Sequence, residues 1–136
     1  MRRSIRSQVA TAVLLIVTAA VAARTQETLQ TFLVHGSEAL RAGDNAAAER
    51  AFRRALDMQP SSVEILNDLA VSLARQGKTA EAIGFYERAL KLKPGDSPTE
   101  RNLAVAFYRA GRYRQAQPLL GKLTATGTAD FQLLEM

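Results

Sequence analysis

The chain has no cysteine and no tryptophan, and its only histidine is His35. Without cysteine there is no disulfide, no thiolate nucleophile and no thiolate zinc site. A solitary histidine has no second ring with which to hold a metal or share a proton. On sequence position alone it is expected to be packed or hydrogen-bonded inside the first helical pair. The 8 glycines are isolated, so no loop cradles phosphate. The carboxylates are scattered and mostly neighbour cations, which does not build the shared cleft that acid–base chemistry needs. These absences remove the usual grounds for expecting an enzyme, a cofactor or a metal centre. They leave the compartment open.

Acidic residues are also fewer than basic ones, 13 against 18, for a net charge of +5. Arg2, Arg3 and Arg6 account for most of the imbalance, because they precede an apolar run from Val9 to Ala23 and belong to its targeting pattern. Elsewhere the signs alternate, as in Glu49-Arg50 and Glu87-Arg88, the habit of a solvated helix surface. Nucleic acid is not an expected partner. The apolar run is shorter than the ~20 residues that span a bilayer comfortably, and it leaves through Ala20-Val21-Ala22. Residues 1–23 therefore read as a secretory signal peptide, cleaved after Ala22 or Ala23. The alternative is an uncleaved signal-anchor, in which membrane contact is confined to residues 1–23 and the positive flank stays cytoplasmic.

Past that segment the chain keeps a beat. Gly43, Gly77 and Gly111 recur at one interval, as do Ala48, Ala82 and Ala116, while Pro60 and Pro94 repeat it once. A fixed period of this length signals stacked units that bury their apolar faces only against one another. Each glycine sits in a turn between helical patterns, where it accepts the left-handed conformation that closes a helix. Arg41, Arg75 and Arg109 each precede one by two positions, suited to a helix's negative end. Leu66, Leu69, Ala70 and Leu73 share one helical face, as do Ala82, Phe85, Tyr86 and Ala89. Ser61-Ser62-Val63-Glu64 reads as a capping box with Ser61 as the cap, and Ser97-Pro98-Thr99-Glu100 repeats the device. Pro118 is expected to trim the start of the last helix.

These residues resemble the tetratricopeptide repeat, a helix-turn-helix unit of 34 residues. The middle unit carries the likeness best, through Leu66, Leu69-Ala70, Leu73, Ala82, Tyr86, Ala89 and Pro94. The first departs from the pattern at His35 and Ala39, the third at Glu100, Leu120, Leu123 and Thr128. The resemblance implies an all-α fold: a right-handed solenoid of three hairpins, at about 29–62, 63–96 and 97–128 within residues 24–128. The N-terminal signal or anchor helix precedes it, and residues 129–136 follow as a short tail or partial cap.

In proteins similar to this one, the first helix of each hairpin lines a concave groove. Here that face comprises Leu33, Ser37 and Arg41, then Asn67, Val71 and Arg75, then Arg101, Val105, Tyr108 and Arg109. Apolar anchors beside an amide and guanidinium groups suit a peptide or helix laid in a groove. Leu33, Ser37 and Asp68 stand where some members place Lys, Asn and Asn to clamp a carboxylate, so that specialisation is not expected. The expected function is a protein-interaction module or scaffold outside the cytoplasm. The alternative is an accessory subunit anchored in a membrane-associated complex.

Overall fold

Glycine sets the corners of this molecule. Gly43, Gly77 and Gly111 adopt φ of +80°, +78° and +71°, a conformation that a Cβ would strain. Each reverses the chain between two helices of one hairpin. The computed structural model describes residues 28–125, which form helices throughout and contain no strand. Helix α1 covers 28–42. It is followed by α2 (Asn45–Met58), α3 (Val63–Arg75), α4 (Thr79–Leu92), α5 (Ser97–Arg109) and α6 (Tyr113–Ala125). The segments read as signal or anchor and as tail lie outside the described residues.

The hairpins α1/α2, α3/α4 and α5/α6 stack in sequence order, with α3 packed between α2 and α4 and also touching α5. One continuous core runs through them. Phe52, Leu66, Leu69, Leu73, Ala82, Tyr86, Ala89 and Phe107 are all buried in it. Ala48, Ala82 and Ala116 are each at most 1% exposed. They mark where paired helices approach too closely for a longer side chain. Gly36 is tighter still. A Cβ there would stand 2.6 Å from the ring of Phe52.

Helix starts differ in detail from the sequence expectation. Ser62, not Ser61, caps α3, its hydroxyl accepting from the Ile65 amide at 3.3 Å and donating to Glu64 at 3.1 Å. Asp96, not Ser97, caps α5, accepting from the Thr99 amide and, at 2.7 Å, from the Thr99 hydroxyl. Pro98 still falls in the first turn, where a missing N–H is harmless. Pro118 does not trim α6, which already begins at Tyr113. The proline lies inside the helix and removes one backbone donor there.

Glu49 ties the first hairpin to the second. Its carboxylate accepts from Lys78 at 2.8 Å, from Gln76 at 2.8 Å and from Arg53 at 2.8 Å. The Lys78 bond leads in holding its pKa well below the usual carboxylate range, at about 2, with Gln76 and Arg53 adding to it against the opposing effect of burial. A depressed carboxylate stabilises the fold above its unfolded value near 4.3, and that stabilisation disappears as pH falls through about 2. Its partners are half-exposed, so screening holds the contribution to about 1–2 kcal/mol. Asp68 has the opposite sign. Burial and then Glu64 raise its pKa, so acidification relieves it. Glu49→Gln should therefore lower stability near neutrality and flatten its decline between about pH 4.5 and 2. Urea midpoints measured across that range test this, and parallel curves for the two proteins would refute it.

Candidate interaction face

The first helices of the three hairpins lie side by side, and specific bonds hold them so. Arg75, at the end of α3, donates to the Leu40 carbonyl near the end of α1 at 3.2 Å. It thereby adds a second donor to a terminal carbonyl of the neighbouring helix that already accepts from the Gly43 amide at 3.3 Å. Between α3 and α5, Asn67 Oδ1 accepts from Asn102 Nδ2 at 3.1 Å and from the Thr99 hydroxyl at 3.4 Å. The second helices form the opposite layer, where Arg53 of α2 donates to Glu81 of α4 at 3.2 Å.

The ten residues singled out from the sequence all lie on α1, α3 and α5. Leu33, Ser37, Asn67, Val71, Arg101 and Val105 are half-buried, and Arg41, Arg75, Tyr108 and Arg109 are exposed. Leu33 and Val71 rest against the core, so each stands on packed structure while keeping one side open. The polar members divide by role. Ser37 turns back to the Leu33 carbonyl at 2.8 Å, while Asn67 and Arg75 spend bonding capacity on neighbouring helices. Arg75 is thus a cation at a helix end, as its position relative to Gly77 suggests, and its bond reaches across to the adjacent hairpin. Arg109 projects from the end of α5 beside the exposed ring of Tyr108.

Sequence reading did not give two participants, Asn102 and Tyr86, a place at this face, and it considered Asp68 only as a departure from a carboxylate clamp. Asn102 is the amide that aligns Asn67, and only the stacking of α5 on α3 brings the two together. Tyr86 of α4 is buried beneath this face, where burial pushes its hydroxyl above the ordinary tyrosine range while Arg109 and Arg75 pull the other way. Both guanidinium charges thus act on the same buried ring. The Asp68 carboxylate adds to the upward push on that hydroxyl.

His35 corrects an expectation. It is exposed, not packed inside the first pair. It lines an open cleft of about 550 Å³ with Phe32, Ala47, Arg50, Ala51 and Asp57 at the outer end of the first hairpin. The residues one repeat later, Leu66 and Leu69 for Phe32 and His35, are fully buried because a preceding hairpin covers them. Among the described residues nothing precedes α1. No group of residues suited to holding a metal ion occurs among the described residues.

Two profiles described as tetratricopeptide repeat match the chain, one over residues 33–97 and the other over 73–135. No curated protein matches it. Among solved structures, MamA from Desulfovibrio magneticus RS-1 is similar at 21% identity and a TM-score of 0.71, covering 76% of this chain and 58% of that one. The chain thus spans little more than half of MamA. The Sgt2 tetratricopeptide domain of Aspergillus fumigatus is similar at 20% identity and TM-score 0.70, covering 79% and 74%. The TPR2B domain of yeast Sti1, solved in complex with an Hsp70 peptide, is similar at 17% and 0.69, covering 80% and 91%. At these identities the likeness speaks for the fold, and the profiles and the 34-residue phase speak for the family. This chain is a member of the tetratricopeptide-repeat family, built from three of its helical hairpins.

Proposed function

We propose that the protein is an interaction module that works outside the cytoplasm and takes a peptide or helix of a partner along the open side of α1, α3 and α5. The observation that carries this reading is the row of half-buried apolar side chains, Leu33, Val71 and Val105, one on each first helix. Such a row offers anchoring contacts on a support that is already ordered, so binding loses little entropy to arranging the site. The likeness to the TPR2B domain of Sti1, solved in complex with an Hsp70 peptide, agrees with a protein or peptide as the partner. Export is inferred from the basic start, short apolar run and small-residue exit of residues 1–23.

A photo-crosslinking amino acid placed at Ser37, Val71 or Val105 in the cell should capture the same partner from all three positions. Placed at Glu87, exposed on α4, it should not. Equal capture from Glu87 would move the contact to the other layer. The mass of the mature protein tests export separately: retention of Met1 to Ala22 would reject cleavage.

A further inference from the structure

The positive charge of the folded region is concentrated at one end of the stack. From residue 101 to residue 129 the sequence carries Arg101, Arg109, Arg112, Arg114 and Lys122 and no carboxylate. Three of these arginines flank the turn between α5 and α6. The same turn gathers exposed aromatic surface. Tyr108 and Tyr113 are 44% and 60% exposed and meet edge to face at 5.2 Å. Arg112 is held rigidly, its guanidinium 4.9 Å from the Phe107 ring centroid and its Nε donating to Gln115 at 2.6 Å. Arg109 and Arg114 form no salt bridge among the described residues. Arginine and tyrosine on a rigid corner are the composition from which strong interface contacts are made.

We propose that the Tyr108–Arg114 corner is a docking site for an acidic peptide segment of a partner protein. The segment's carboxylates pair with Arg109, Arg112 and Arg114, and an apolar side chain lies across Tyr108 and Tyr113. The inference rests on the groove reading above, because Tyr108 and Arg109 belong to the open side of α5, and it adds the sign of the ligand and the end of the groove that reads it. Guanidinium groups suit carboxylates through paired N–H donors. A nucleic acid fits less well, since Glu64 and Asp68 stand on α3, the helix that touches α5, and would repel a phosphate backbone continued past the corner.

A random peptide library selected on the full chain, with binding of the selected peptides measured at low and high salt, tests the proposal. The expected peptides are rich in Asp and Glu beside apolar residues and bind less tightly as salt rises. They should bind roughly tenfold more weakly to Arg109→Glu/Arg114→Glu, and Arg109→Lys/Arg114→Lys should restore much of the loss. Circular dichroism melts establish that each variant folds. Selected peptides without acidic enrichment that still depend on Val71 would overturn the corner's role and leave the groove reading standing. Peptides indifferent to both Val71→Glu and the corner variants, or no selected peptide at all, would overturn both. Displacement of the selected peptides by an equal concentration of a thymidine oligonucleotide or of phosphatidylserine vesicles would also overturn the proposal, showing a site for polyanions in general.

Discussion

Phe52→Ala should cost the fold about 3–5 kcal/mol, the range for removing a large aromatic from a packed core. Phe52 is fully buried, and its ring fills the space that Gly36 leaves open. The reciprocal substitution makes the argument testable as a pair. Gly36→Ala alone would push a methyl group within 2.6 Å of the ring, which should cost about 1–3 kcal/mol by overpacking. In the Phe52→Ala background the same methyl group enters free space. There it should be neutral or stabilise by up to about 1 kcal/mol, because alanine favours a helix interior over glycine. Urea unfolding of the two single variants and the double variant gives the coupling. Additive changes would mean that the ring does not press on Gly36.

Lys122→Met is expected to destabilise the last hairpin by about 1–3 kcal/mol. Glu100 is 7% exposed and stands one repeat after Leu66, where the pattern calls for a large apolar side chain. Its carboxylate accepts from the Lys122 ammonium on α6. Removing the cation leaves a buried charge without that partner, a greater loss than the pair itself gains. The lysine is 54% exposed along its side chain, so water softens the penalty and the lower half of the range applies to a relaxed site. Glu100→Leu/Lys122→Met should recover most of the loss, since a packed apolar pair commonly matches a buried ion pair. Thermal melts decide the matter. A double variant as unstable as Lys122→Met alone would show that the site cannot repack around leucine.

What the sequence determined is what local chemistry controls. Positive φ requires glycine wherever a hairpin turns, so Gly43, Gly77 and Gly111 announced the corners and, through their spacing, the number of hairpins. Apolar side chains at helical spacing announced Leu66, Leu69 and Leu73 as core, because a helix turns them to one side whatever it meets. Only the tertiary structure decided what depends on neighbours far along the chain. His35 repeats the position of Leu69 yet is exposed, because burial there comes from a preceding hairpin and α1 has none among the described residues. Glu100 repeats the position of Leu66 and is buried with its charge, because Lys122 of the next helix reaches it. Asn67 looked free to meet a ligand until Asn102 and Thr99 were brought beside it. A repeat specifies its own helices through contacts a few residues apart, while the fate of each polar side chain is set by the unit stacked against it.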